Sequence, residues 1–155
     1  IEARMLYLLL RMGHARYALE ARRIVEVVPW VELKPLPHSA AYVAGLFDYR
    51  GTLVPVIDLC RLTDGYACRD YLTSRIVLVD YSGADGIHHT LGLLAEQVTE
   101  TAKLEDNDFQ PSGLRQPDAP YLGPYQHNDA ALVQRLEIEL ILPEDLRRNL
   151  FAECA

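Results

Sequence analysis

The sequence predicts a mainly β protein of two small antiparallel β-barrel lobes, with short helices between strands and one helix near the C-terminal end. Two observations carry this. Short apolar runs rich in Val, Ile, Leu and Tyr alternate with turn signals along the chain. An internal echo is also present: Leu53-Val54-Pro55-Val56-Ile57-Asp58-Leu59 aligns without gaps to Leu132-Val133-Gln134-Arg135-Leu136-Glu137-Ile138. Likewise Tyr17-Ala18-Leu19-Glu20-Ala21, with Ile24 and Glu26, aligns to Leu91-Gly92-Leu93-Leu94-Ala95, with Val98 and Glu100. Many short strands present many edges, and closure into barrels is the arrangement that removes them.

The elements follow in order. Met5 to Leu10 is apolar and too short for a typical helix, and Gly13-His14 supplies a turn before Tyr17-Ala18-Leu19-Glu20, which predicts a hairpin. A short helix or turn around Ala21–Ile24 comes next. Val27 to Leu33 reads as an edge strand or bulge because Pro29 lacks the amide that a central strand needs. Ser39 is placed to cap a helical segment, Ala40 to Ala44, with Gly45 closing it. Leu46–Tyr49 and Leu53–Ile57 flank Arg50-Gly51-Thr52, a tight strand connection, and Asp58 can cap a short helical turn through Leu62.

From Thr63 to Tyr71 periodicity is lost. Ile76–Tyr81, Ile87–Leu94 and Val98–Leu104 read as strands, the first two joined by 82–86, and Glu105–Pro120 as a long irregular connection. Strands around Tyr121–Gln126 and Ala131–Leu136 precede a helix at 143–151 that starts on Pro143. The expectation is one domain over 1–155, with lobe 1 at about 17–62 and lobe 2 at about 76–141 plus the helix. The first strand, 4–11, can pair with either lobe.

Composition bounds the function classes. Of 155 residues, 50% are hydrophobic and 24% charged, as in ordinary globular proteins. A chain of this length buries ~70% of its unfolded surface and so needs no metal or disulfide for stability. With 22 acidic residues against 15 basic ones and no Lys/Arg block, the footprint of a nucleic-acid binder is missing. An anionic membrane surface is disfavoured for the same reason. No apolar run approaches the ~20 residues of a membrane span, and no basic segment followed by an apolar run and cleavage site opens the sequence. The expected location is cytoplasmic. The sequence starts at Ile1 rather than Met, which leaves room for preceding residues. Cys60, Cys68 and Cys154 are odd in number and fit no paired ligand spacing, so reduced, metal-free thiols are expected.

The stretch Gly45-Leu46-Phe47-Asp48-Tyr49-Arg50-Gly51-Thr52-Leu53-Val54-Pro55-Val56-Ile57-Asp58-Leu59 resembles the signature hairpin of CheW-like domains. Gly13 with Tyr17-Ala18-Leu19 is similar to the family's first hairpin, and Ile24-Val25-Glu26-Val27 to the segment after it. The resemblance continues through Arg75–Val79, Leu91–Val98 and the terminal strand and helix. Asp48 and Tyr49 depart from the commoner Asn and Leu, and 63–73 is poor in family features. The resemblance implies two SH3-like five-stranded barrels around a shared apolar core. It also implies a non-enzymatic scaffold that binds the cytoplasmic tip of a methyl-accepting receptor and the regulatory domain of a CheA-type histidine kinase, recruited to membrane-associated receptor arrays and using no cofactor. The departures suggest an adaptor of a non-flagellar, Wsp-type surface-sensing pathway as the alternative.

By that resemblance Arg50 is a receptor-contact candidate, its planar fork suited to a carboxylate or backbone carbonyl; a solvated or intramolecular arginine is the plain reading. Ile24 is either part of a groove between the barrels or core packing, and Glu26 belongs to the same surface. Gly45 and Gly51 are read as structural turn residues.

Other chemistries find less support. His88 and His89 are consecutive on a strand and project to opposite faces, so they do not share one ion. Cys68 with His88 or His127 would be the nucleophile and base of a small hydrolase, the less favoured alternative. No phosphate-cradling glycine loop, GxSxG elbow or HExxH helix is present.

Overall fold

The computed structural model describes residues 4–82, 86–113, 116–129 and 131–151. Part of the 82–86 connection, part of the 105–120 connection and Cys154 lie outside the described residues. Among the described residues, ten strands and two short α-helices follow one another along the chain. β1 (Arg4–Met12) and β2 (Ala15–Glu20) form the first hairpin, and a 3-10 turn, Ala21–Arg23, leads to β3 (Ile24–Pro29). β4 (Val43–Tyr49), β5 (Thr52–Asp58) and α1 (Leu59–Thr63) follow. The second half holds β6 (Arg75–Ser82), β7 (His88–Ala95), β8 (Gln97–Glu105), β9 (Leu122–Asn128), β10 (Ala131–Leu136) and α2 (Glu144–Leu150).

Two five-stranded sheets result, with strand orders β8-β1-β2-β10-β9 and β3-β6-β7-β5-β4. The expected lobes, 17–62 and 76–141, are therefore corrected. Each sequence half sends its opening hairpin into the other half's sheet: β1 and β2 join β8, β9 and β10, while β6 and β7 join β3, β4 and β5. The reason lies at the two crossings. After β2 the turn at Ala21–Arg23 redirects the chain so that β3 pairs with β6, and after β7 the chain bends at Glu96 so that β8 pairs with β1. The first strand thus lies in the sheet of the second half. The internal echo fits this arrangement, because β2 and β7 take equivalent places in the two sheets, as do β5 and β10, and β3 and β8.

The expectation of wholly antiparallel sheets is also modified. β2 pairs parallel with β10, and β5 pairs parallel with β7, one parallel ladder in each sheet. Backbone pairing leaves each sheet with two ends, and side chains draw those ends together. Gln126 on β9 donates through Nε2 to the Glu105 carbonyl at the end of β8, at 3.1 Å. In the other sheet Tyr49 at the end of β4 donates to Glu26 on β3 at 2.7 Å. Single bridges lie along two of the edges, Lys34 with Leu46 on β4 and Gln110 with Tyr125 on β9.

A continuous apolar core joins the sheets. Leu8, Leu10, Met12, Tyr17 and Leu19 from one meet Val54, Val56, Ile76, Leu78, Leu91 and Leu93 from the other. Alternate residues of β1, Tyr7 and Leu9, face a second cluster with Ala18, Leu104 and Val133. A strand buried on both faces needs an unbroken apolar run, which is why Tyr7 to Leu10 lacks the usual alternation, while Leu6 just before it is exposed.

Ala40–Ala44 is not a helix. Ser39 Oγ donates to the Leu36 carbonyl at 2.7 Å instead of capping, and a single turn, Val43 N to Ala40 O at 3.0 Å, leads straight into β4. Gly45 is correspondingly not a turn residue but sits inside β4 at a register shift. Its backbone has φ 147°, and a Cβ there would stand 2.7 Å from the Lys34 carbonyl oxygen. Glycine is required because the 33–34 segment crosses β4 at that point.

Candidate functional site

The β4–β5 connection is a two-residue hairpin, with Tyr49 opposite Thr52. Arg50 has φ 51° and Gly51 φ 87°. Positive φ at both positions is the turn that matches the twist of paired strands, and Gly51 adopts it freely while Arg50 does so against its preference. Asp48 stabilises the turn by accepting the Gly51 amide at 3.0 Å, a role its departure from Asn leaves intact. Gly51 is exposed at the tip, as expected of a turn glycine.

Two of the three contact candidates meet here. Arg50 Nη2 lies 3.3 Å from Glu26 Oε1, the same oxygen that accepts the Tyr49 hydroxyl. The guanidinium also stands over the Tyr49 ring at 5.0 Å from its centroid, and Tyr49 stacks on Phe47 at 6.2 Å. Accepting by Glu26 holds the Tyr49 hydroxyl above its ordinary pKa. Tyr49 and Phe47 are not among the contact candidates from sequence, although their spacing on one face of a strand beside Arg50 is a signal for them.

The Arg50 side chain is 76% exposed despite these contacts. An exposed pair of this kind contributes ~0–1 kcal/mol, so the guanidinium can exchange Glu26 for an incoming carboxylate at little cost. Ile24 is placed differently. It is half-buried and packs against the main core from the start of β3, separated from Glu26 by a register shift. On the outward face of that edge strand Val25 and Val27 are exposed, as is Leu53 beside the hairpin.

A second cluster organises the 63–74 segment. Asp58 is the N-cap of α1, accepting the Arg61 amide at 3.1 Å, as its position predicts. The same buried carboxylate accepts the Cys68 amide at 3.0 Å. Cys68 is therefore not in an open polar loop: it is buried, with its sulfur 2.8 Å from that of Cys60. Its hydrogen bond to Cys60, then burial, then Asp58 push the Cys68 thiol well above its ordinary pKa. Asp58, Cys60 and Cys68 together place three atoms able to ligate a metal, one carboxylate oxygen and two sulfurs, within 4.8 Å of one another, a convergence their sequence spacing did not signal.

Neither His88 nor His127 joins Cys68. His88 Nδ1 lies 3.0 Å from Asp80, and His127 packs edge-on against Tyr125. His89 stacks on Phe151 at 4.3 Å, so the two consecutive histidines do turn to different partners.

Glu96, another buried carboxylate, anchors the far end of the segment. It accepts the Arg69 amide at 2.8 Å, the Gly13 amide and the Tyr66 hydroxyl, while its own carbonyl takes Thr73 and Ser74. Removing a buried acceptor strands its donors. Glu96→Ala is expected to lower stability by about 2 kcal/mol and to open Arg69 to limited trypsin cleavage, both measurable on the purified protein.

These features can be set beside known proteins. The CheW-like domain family matches residues 6–145. The chemotaxis protein CheW of Rhizobium meliloti is 27% identical over 103 residues, 66% of this chain and 63% of that protein's length. The chemotaxis protein CheW of Helicobacter pylori is 28% identical over 137 residues, covering 86% of this chain and 79% of its own. The protein FrzA of Myxococcus xanthus is 26% identical over 104 residues, 67% of this chain and 62% of its own. Thus the matched region spans less than two thirds of some of these relatives. The scaffolding protein TtCheW of Thermoanaerobacter tengcongensis superposes with a TM-score of 0.81 at 19% identity, over 92% of this chain and 90% of that one. Because the family match spans most of the sequence, and the fold of paired five-stranded sheets agrees with it, the chain belongs to the CheW-like domain family.

Proposed function

We propose that this protein is a non-catalytic adaptor that couples the cytoplasmic tip of a methyl-accepting receptor to the regulatory domain of a CheA-type histidine kinase. The observation that carries the reading is the hairpin at Arg50, an exposed and weakly paired cation held on a rigid two-residue turn within a CheW-like domain. A coupling surface of this kind needs modest area and exchangeable polar contacts rather than a deep cleft. The edge strand β3, which carries Glu26, also supplies apolar area through its exposed Val25 and Val27. No helix among the described residues is long and apolar enough to cross a membrane.

Reconstitution tests the reading. A receptor and a CheA-type kinase from the same genome are combined in lipid nanodiscs, with and without this protein. Co-sedimentation of the kinase with the receptor is expected to require it, and ATP turnover by the kinase to change when it is added. Equal sedimentation without it, or failure to bind either partner, would overturn the proposal.

A further inference from the structure

We propose that Cys60 and Cys68 are a redox-modifiable pair that forms an intramolecular disulfide on exposure to a hydroperoxide, clamping the 61–67 segment. This goes beyond the adaptor reading and does not depend on it. The two sulfurs are eight residues apart in sequence and 2.8 Å apart in space. That is inside the contact distance of two non-bonded sulfurs and about 0.8 Å beyond the ~2.05 Å of an S–S bond.

The apposition is built by the backbone rather than by chance rotamers. Cys60 is fixed in α1 directly after β5, and Gly65, with φ 84°, turns the chain back. Asp58 then holds the Cys68 amide with both carboxylate oxygens, at 3.0 and 3.3 Å. A shared metal ion fits these groups less well. Two thiolates at ~2.3 Å from a tetrahedral ion stand ~3.8 Å apart, and the Asp58 oxygens are already engaged by backbone amides.

The reaction balances with one equivalent of oxidant. One sulfur, as thiolate, attacks the peroxide oxygen; the O–O bond breaks, an alcohol or water leaves, and a sulfenic acid remains. The second sulfur, as thiolate, attacks that sulfur and expels water, so the pair loses two electrons and two protons while the peroxide is reduced. Both thiols are buried, and the contacts that push the Cys68 thiol up disfavour its thiolate, so both access and ionisation require the segment to open locally. The surrounding loop is held to the body chiefly by the side-chain acceptors Asp58 and Glu96 rather than by a strand ladder, which makes such opening cheaper than unfolding. A surface cleft of about 450 Å³, lined by Tyr66, Arg69 and Asp64, lies over the same segment. Tyr66 there has its hydroxyl pushed up to about 12, by burial first and then by the neighbouring Cys60, Glu96 and Asp64.

The experiment uses the full chain carrying Cys154→Ser, so that Cys60 and Cys68 are the remaining thiols. Folded protein is treated with hydrogen peroxide, alkylated in denaturant and digested with trypsin without reductant. Cleavage after Arg61 and Arg69 puts the two cysteines on separate peptides, 51–61 and 62–69. The expected product is those two peptides joined, two hydrogens lighter than their sum and separated by dithiothreitol, from a protein that remains monomeric on a non-reducing gel. The melting temperature should rise by about 5 °C, since the bridge closes a short loop. Adding Cys68→Ser should abolish both the linked peptide and the rise. Two alkylated thiols after treatment, sulfinic acid without a bridge, or a bridge formed only between molecules would each overturn the pairing; a bridge with an unchanged melting temperature would overturn the clamp.

Discussion

Replacing Arg50 with Glu is expected to weaken receptor-tip binding at least tenfold while the protein stays folded. A charge-assisted hydrogen bond to a receptor carboxylate or carbonyl contributes about 1.5–3 kcal/mol, and a like charge facing a carboxylate adds a penalty; ~1.4 kcal/mol is already a factor of ten. Folding should barely change, because the Arg50–Glu26 pair is exposed and the left-handed backbone at Arg50 suits Glu no worse. The substitution also places a second carboxylate beside Glu26, which raises another explanation: the hairpin shifts and contact is lost indirectly. The double variant Glu26→Arg with Arg50→Glu separates the two. It restores an intramolecular pair of opposite sign, so binding that returns would make Arg50 a positioning residue rather than a contact. Titration calorimetry with a soluble receptor tip, at low and physiological salt, reads the result. Unchanged affinity of the single variant at both would make Arg50 a bystander.

Gly45→Ala should cost about 3 kcal/mol, lowering the melting temperature by roughly 6–12 °C for a chain of this size. Two penalties combine. The φ of 147° is one that a side chain rarely adopts, and the new methyl meets the Lys34 carbonyl oxygen at 2.7 Å and Leu33 Cβ at 3.0 Å. Relief requires the 33–34 segment to lift from β4, which breaks the paired bonds Lys34 N to Leu46 O, 2.9 Å, and Leu46 N to Lys34 O, 2.7 Å. Since β4 runs into the Arg50 hairpin, receptor binding should weaken along with stability. Thermal unfolding by circular dichroism checks the effect, and a shift under 2 °C would show that the segment yields without strain.

The sequence by itself determined what is local. Apolar period and turn chemistry placed the strands within a few residues, the Arg50-Gly51 turn followed from a small residue between two apolar runs, and Asp58 was legible as a cap because its acceptor acts three residues away. The echo of β2 with β7 and of β5 with β10 was also readable, since equivalent sheet positions impose similar patterns.

Only the tertiary structure decided which strands pair. Period-two patterning fixes the face a residue presents and says nothing about the partner ladder, so the exchange of opening hairpins between halves left no local mark. Gly45 read as a helix end because the cause of its need for glycine, the Lys34 carbonyl, lies eleven residues upstream. Tyr49 and Arg50 converge on Glu26 because the sheet curls until side chains of its unpaired first and last strands reach each other, an approach no window of sequence contains. The Cys60–Cys68 contact arises likewise, from a turn at Gly65 and an Asp58 carboxylate reaching across it, where spacing alone showed two unrelated thiols.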